Sequence, residues 1–534
     1  MPQGVGDFKV SNAAAERQVV RALGSIGTAT LLSRVLGFVR DMVVALVFGA
    51  GPLTDAFFVA FRIPNILRRL LAEGALSTAI VPVFTEYSAT RPRPELLRLL
   101  RAVLAVALLA LGLTTALGIL LAPWLVRLIA PGFAGDPEQA ALAVLLTRVM
   151  FPYLVLVGLA ALAMGALHSQ GRFFAAALGP AVLNVGMIAG VALLASRVTP
   201  PILSLALGVV AGGLGQLLVQ LPSLRRCGLV VAPSGELSHP ALGRVVRLLL
   251  PSVFGLAAVQ VMVFVNTLLG SLLPAGSISF LYYADRVMEF PLGIFGVALA
   301  SASLPVMARQ AAAGDRRSVA ATLNFALRLA LFVSIPATVG LVVLRVPITR
   351  ILFERGQFSA ADTAATAQAL GWYALGLAGF AGARIAAQAF YAVGQPGTAV
   401  RLGVAAVAAN VLAALVLMYP LGHAGLACAS SIGAWVNLLG LVWVARRRFG
   451  PLGGRELGRS LGRTVLASGP LAGWCGLALW WWPATDGPGR LTLDAAWLAA
   501  AIVGGAVVFW IGSVVLRAPE RLALGRTLPT RGAR

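Results

Sequence analysis

Apolar stretches of about twenty residues or more recur along the chain, separated by short polar segments that carry arginine, Gly and Pro. A hydrocarbon core of roughly 30 Å takes about 20 apolar residues of helix, so the pattern predicts spanning helices. Fourteen are predicted, at 25–48, 58–88, 98–122, 140–167, 174–195, 202–222, 246–272, 278–308, 320–344, 363–393, 398–419, 422–445, 461–482 and 492–516. The second, eighth and tenth exceed a minimal span and are expected to protrude or tilt. The fold class is therefore all-α, a polytopic membrane protein.

An internal repeat lies under this pattern. Residues 75–84 (ALSTAIVPVF) resemble residues 298–307 (ALASASLPVM) at a shift of 223 positions, and the same shift brings Gly171 onto Gly394. Nearby shifts match Asp136 with Asp362, Tyr153 with Tyr373 and Asn184 with Asn410. One shift holds six predicted helices, an even number, so the repeats run parallel about a pseudo-twofold axis along the membrane normal. The expected plan is a tail at 1–24, a six-helix lobe at 25–222, a linker at 223–245, a second six-helix lobe at 246–445, a basic loop with two accessory helices at 446–516, and a tail at 517–534. The linker, with Pro233, Gly235 and Pro240, is expected to include a short interfacial helix.

Composition supports the bilayer as solvent. Of 534 residues 59% are hydrophobic and 11% charged, against about 25% charged in soluble domains. The net charge of +23 would suggest nucleic acid in a soluble chain. Here the arginines fall in alternate loops, with Arg91, Arg93, Arg98 and Arg101 on one side and few, such as Arg127 and Arg197, on the other. That bias sets topology, places both termini in the cytoplasm, and removes nucleic acid as a partner. No cleavable signal peptide is expected. Lys9 is the sole lysine and lies outside any glycine-rich phosphate loop, no HExxH occurs, and the one GxSxG string, Gly458–Gly462, leads into a predicted spanning helix with no strand before it to make a nucleophile elbow, so ATPase, zinc-protease and serine-hydrolase chemistry have no site to carry them. Three cysteines and three histidines are scattered. No metal, cofactor or disulfide framework is expected, and the chain is not read as an enzyme.

Charges inside apolar spans are the strongest functional signal, since each is costly unless it meets water or a partner. The first helix carries Arg34, Arg40 and Asp41, with Gly37 between them to admit a neighbour. On the second, Asp55, Arg62, Asn65, Arg69 and Glu73 share one helical face, with Arg68 at its edge. The eighth carries Asp285, Arg286 and Glu289, and the tenth Arg384 with Gln388. Arginine is in slight excess, and its fork suits phosphate oxygens. The set predicts a cavity for an anionic, phosphate-bearing substrate. Leu352–Phe358 (LFERGQF) is expected as a short amphipathic loop helix, an interfacial anchor or a gate. Trp480, Trp481 and Trp482 are expected as an interfacial belt, and Gly208 with Gly212 as helix packing.

The runs SRVLGFVRD (Ser33–Asp41), TDAFFVAFRIPNILRRLLAEGALSTAIVPVF (Thr54–Phe84), YYADRVMEFPLGIFGVALA (Tyr282–Ala300) and LFERGQFSAADT (Leu352–Thr363) resemble the MurJ (MviN) family of lipid II flippases. These belong to the multidrug/oligosaccharidyl-lipid/polysaccharide exporter superfamily. The resemblance implies fourteen helices in two lobes plus an accessory pair. It implies a substrate, undecaprenyl diphosphate carrying the peptidoglycan disaccharide-pentapeptide, moved across the bacterial inner membrane by alternating access. It places Arg34, Arg40, Asp41, Asp55, Arg68, Glu73 and Arg286 at cavity positions, with Asn184 beside them, and Arg40, Asp41 and Arg286 against the diphosphate. Partners expected are lipid II and membrane lipids, with cell-wall synthesis proteins as further candidates. The segment Phe390–Thr398 departs from the family's charged, Asp-Thr-rich turn, and Asn266 and Ala414 stand where some relatives have acids that could bind a cation, which argues against sodium coupling here. A flippase for another lipid-linked glycan, a drug or cation exporter of the same superfamily, and a non-transporting scaffold are the rival readings.

Overall fold

The computed structural model describes residues 28–69, 76–233, 237, 239–482 and 490–525, and among them every regular element is helical. Two compact units divide the chain, Met1–Leu268 and Leu269–Arg534.

The first unit begins with α1 (28–48), α2 (Pro52–Arg68) and α3 (Leu76–Thr90). It continues through α4 (Arg93–Leu120), α5 (Ala122–Ile129), a 3-10 turn at Pro131–Gly135, α6 (Pro137–Met150) and α7 (Tyr153–Ser169). Then come α8 (Phe174–Ala177), α9 (Gly179–Leu194), α10 (Leu203–Leu218) and α11 (Leu221–Cys227). Helix α12 (Leu242–Ser271) runs out of this unit, and its last residues belong to the second. The second unit holds α13 (Ser277–Pro291), a π turn at Leu292–Gly296, α14 (Val297–Ala312), α15 (Arg316–Val343), α16 (Arg345–Phe353), α17 (Ala360–Leu375) and α18 (Leu377–Ala392). It ends with α19 (Pro396–Leu421), α20 (His423–Phe449), α21 (Gly454–Trp480), α22 (Arg490–Val515) and α23 (Glu520–Gly525).

The units repeat one plan. At a shift of 223, Arg93–Leu120 falls on Arg316–Val343, and the first residues of α5 and α6 fall on those of α16 and α17. The glycines that follow α7 and α18, Gly171 and Gly394, both have the left-handed backbone (φ 68° and 70°) that glycine adopts without strain. Helix starts match too. Asp136 accepts the backbone N–H groups of Glu138 and Gln139 at 3.1 and 3.0 Å, and Ser359, at the same shift, caps α17 in a reciprocal box with Asp362. Asp362 is thus not the positional mate of Asp136, and Tyr373, near the end of α17, is not that of Tyr153 at the start of α7.

Some boundaries differ from expectation for local reasons. The second span starts earlier, because Pro52 opens α2 six residues ahead of 58. Residues 70–75, Glu73 included, lie outside the described residues. The eighth span is interrupted by the π turn after Pro291, and the tenth by the junction at Gly376. The expected loop helix over Leu352–Phe358 is instead the end of α16 and a turn. In the linker, α11 closes at left-handed Gly228, and 229–233 have no helix. Among the described residues eight helices are long and apolar enough, by length and composition alone, to cross a bilayer; the other expected spans carry charges, are broken, or reach beyond the described residues.

Each unit has its own apolar core. In the first, Ile80, Val83 and Phe84 of α3 pack with Leu99 and Leu167. In the second, Met307, Leu323, Leu327, Ile385, Phe390 and Leu441 join α14, α15, α18 and α20. The accessory helix α21 packs on α15 and α22. Trp474 donates from its indole nitrogen to the Ala501 carbonyl at 3.0 Å, and Phe332 meets Phe509 at 5.1 Å. Short helix α23 turns back so that Glu520, buried, accepts from the Ser460 hydroxyl at 2.9 Å and pairs with Arg328 at 3.5 Å. Trp480 and Trp481 are exposed, as an interfacial belt requires, whereas Trp482 meets Trp497 with ring centres 4.5 Å apart and planes tilted by 57°. Outside the spans, Asp315 caps α15: the Ser318 hydroxyl and backbone N–H hold its carboxyl below the usual 3.8.

Candidate functional site

In the first unit the site rests on how closely α9 approaches its neighbours. Gly186 and Gly190 of α9 meet Gly212 and Gly208 of α10 backbone to backbone. A Cβ on Gly190 would fall 2.6 Å from the Ser204 carbonyl oxygen, and one on Gly212 would fall 2.9 Å from Leu183 Cα. The expected packing role of Gly208 and Gly212 is therefore what the geometry shows. On the other side, a Cβ on Gly37 of α1 would lie 3.4 Å from Asn184 Nδ2, so Gly37 does admit a neighbour.

Asn184 is that neighbour's polar group. Its amide donates to the Ser33 carbonyl at 3.1 Å, and its oxygen accepts from Arg40 Nη1 at 3.0 Å. The Arg40 side chain folds round α1 to give two bonds to one oxygen of the adjacent Asp41, from Nε at 3.0 Å and Nη2 at 2.6 Å. Nη1 also reaches Met187 Sδ at 3.9 Å. Asp41 is 2% exposed and Arg40 7%. A buried charge of this kind persists because it is paired and hydrogen-bonded. Sequence spacing puts Arg40 and Asp41 about 100° apart; the length of the arginine side chain closes that angle. Arg34, on the same helix, is exposed.

On α2, Arg68 donates from Nε to Asn65 Oδ1 at 3.0 Å, which joins it to the polar stripe rather than leaving it at the edge. Asp55 is buried at 2% exposure near the start of the helix, and Arg62 and Arg69 are half-buried. Helix α2 packs on α6 and α7.

In the second unit, α13 carries an arginine held from two sides. Arg286 Nη1 donates to Glu289 Oε2 at 2.9 Å, while Nε and Nη2 lie 3.4 and 3.3 Å from the Tyr282 hydroxyl. The guanidinium also sits 5.1 Å from the Tyr282 ring centre. Arg286 is about a third exposed and Glu289 about half. Asp285 is half-buried on the same helix, and Arg384 is exposed on α18. Three residues escaped the sequence reading. Tyr282 stood inside a quoted motif, and its place four residues before Arg286 was the signal. Arg328 and Glu520 are 192 positions apart, and only the fold joins them. Among the described residues no group of three His, Cys, Asp or Glu is placed to hold a metal ion.

Asn410, matched to Asn184 at a nearby shift, does different work. It is fully buried and donates to the Ser430 hydroxyl at 3.3 Å, tying α19 to α20.

Comparison with known proteins bears on what such residues serve. The family described as lipid II flippase MurJ matches residues 44–488. The lipid II flippase MurJ of Burkholderia cenocepacia is 36% identical over 502 residues, covering 92% of this chain and 97% of that protein. The probable lipid II flippase MurJ of Vibrio cholerae is 38% identical over 424 residues, 77% of this chain and 80% of its own. A solved structure of lipid II flippase MurJ in an inward closed conformation superposes with a TM-score of 0.77 at 25% identity, covering 92% of this chain and 98% of that one. An inward-facing multidrug transporter of the MATE family shares the fold at a TM-score of 0.62 and 16% identity, over 79% of this chain and 96% of that one. The match along most of its length, together with the two-unit helical plan, shows that the chain belongs to the lipid II flippase MurJ family.

Proposed function

We propose that this chain carries lipid II from the cytoplasmic to the outer leaflet of a bacterial inner membrane by alternating access, with both termini cytoplasmic. The observation that carries the reading is that each unit holds arginines with polar partners on apolar helices, α1 and α2 in the first and α13 in the second, in a chain whose relatives are named for lipid II. Arg34, Arg40, Arg62, Arg68, Arg69 and Arg286 supply positive charge for the diphosphate. Asp41, Asp55, Glu73 and Asp285 hold the arginines apart when no substrate is bound, and Asn184 orients Arg40. A guanidinium suits this task because it stays charged when partly desolvated and offers a flat fork to phosphate oxygens. The polyprenyl tail stays in lipid. Membrane potential can drive the cycle, since one charge moved through 100 mV is worth about 2.3 kcal/mol.

Complementation tests this. Host cells depleted of their own lipid II flippase, and expressing this chain, are followed for growth and for outer-leaflet exposure of lipid II. Rescue is expected from the unaltered chain, and failure from Arg286→Ala at equal membrane levels. A well-inserted chain that gives no rescue points to another lipid-linked glycan, and full rescue by Arg286→Ala removes that arginine from the substrate site.

A further inference from the structure

The LFERGQF segment has no place in the transport scheme so far, yet its two phenylalanines are among the most completely buried residues of the second unit. Phe353 closes α16 at 1% exposure, and Phe358 follows the turn at 2%. Between them the chain reverses. Gly356 takes the left-handed backbone (φ 58°), which a side chain would strain. Arg350 and Glu354 pair at 3.2 Å, and Arg355 donates back to the Ile351 carbonyl. The Ser359–Asp362 box then starts α17. Ring, charge and glycine each have a geometric duty, and the product is a tied knot rather than an open loop.

That knot grips one residue of α13. Tyr283, wholly buried, has its ring centre 4.9 Å from Phe353 and 5.5 Å from Phe358, and the two phenylalanines lie 5.8 Å apart. Aromatic contacts at these separations resist sliding and rotation. The neighbouring residue is Tyr282, whose ring stands at 79° to that of Tyr283 and whose hydroxyl and face hold Arg286. Adjacent side chains on a helix point about 100° apart, so fixing Tyr283 fixes the direction of Tyr282. The edge of Arg286 that faces the Tyr282 hydroxyl carries Nε and Nη2, the pair of donors that matches two phosphate oxygens.

We propose that the LFERGQF knot is a positioning element for Arg286, acting through Tyr283 and Tyr282. The Tyr282 hydroxyl holds the Nε–Nη2 edge in the orientation a phosphate later takes up. The role of that edge toward substrate rests on the function proposed above; the positioning itself does not.

The experiment therefore has two arms, both on the full-length protein. In the first, a cysteine replaces Arg286 and its reaction rate with an anionic methanethiosulfonate is compared with Phe358 intact and with Phe358→Leu, a change that keeps an apolar side chain and removes the ring. Tyr283→Leu is the second variant, in case Phe358→Leu does not fold. A change of roughly tenfold, within the range of coupling carried through a shared chain of contacts, is expected, and Gly112→Cys on α4 of the other unit should react equally in both backgrounds. In the second arm, reconstituted protein is titrated with a polyprenyl diphosphate. Phe358→Leu and Tyr282→Phe should each weaken binding several-fold, and Phe358→Leu should add nothing once Arg286 is Ala. An unchanged labelling rate, with either variant folded, overturns the positioning role. A changed rate with no binding of the diphosphate by the unaltered protein leaves the positioning standing and removes the substrate reading. Equal loss of binding on Phe358→Leu with and without Arg286 shows a general packing effect and also overturns the proposal.

Discussion

Asn184→Ala isolates the tie between α1 and α9. The substitution removes two bonds, one accepted from a charged guanidinium at 3.0 Å and one given to the Ser33 carbonyl at 3.1 Å. A hydrogen bond to a charged group contributes about 1.5–3 kcal/mol and a neutral one about 0.5–1.5, so the expected destabilisation is about 2–4.5 kcal/mol. Arg40 keeps Asp41 in the variant, so the charge stays paired and the protein still folds. The assay is reversible unfolding in mixed micelles titrated with a denaturing detergent, run as a double-mutant cycle with Arg40→Met. In the Arg40→Met background the same alanine substitution loses only the Ser33 bond, and its cost should fall to about 1 kcal/mol. Equal costs in the two backgrounds would show that Asn184 does not support Arg40, and the account of the network would be wrong.

Three other outcomes follow from the geometry. Gly212→Val forces a side chain against the backbone of Leu183 and should cost about 1–3 kcal/mol in the same unfolding assay, whereas Gly112→Ala, with open space around it, should be neutral or slightly stabilising. Glu520→Gln keeps an acceptor for Ser460 but strips the charge facing Arg328; breaking such a buried pair costs about 3–5 kcal/mol, and adding Arg328→Met should recover most of it. Asp315 has a lowered folded pKa, so its contribution is present above the unfolded carboxyl value and lost as pH falls through the folded one. The stability gap between the protein and Asp315→Ala should accordingly be full near neutral pH and vanish in strong acid, as read by unfolding at each pH.

Much of this architecture was legible because membranes impose a coarse and regular code. Length and apolarity placed the spans, and the 223-residue shift placed the repeat so well that the first residues of α4 and α15 coincide under it. Helix breaks were less visible. The π turn after Pro291 and the junction at Gly376 fall at residues that weaken a helix locally, but the apolar run reads straight through both, so the pattern alone shows one long span. At the site, residue types were legible and partners were not. Arg40 and Asp41 stand out in the sequence as intramembrane charges, but their mutual bond depends on a rotamer, and the role of Asn184 depends on glycines of a different helix pair. The LFERGQF motif misled for a related reason: charge and aromatics looked amphipathic, while the fold buries both phenylalanines.

The pairing of Arg328 with Glu520 also sets an order for biosynthesis. Arg328 lies in α15, and its acidic partner follows 192 residues later. At about 5–20 residues per second, a ribosome needs roughly 10–40 s to make that stretch. Until then the Arg328 guanidinium has no Glu520 carboxylate to pair with. Ser460 arrives first, and the acid only with the last short helix. The ion pair that joins α15 to α23 can therefore form only late in synthesis, after the helices between them have been made.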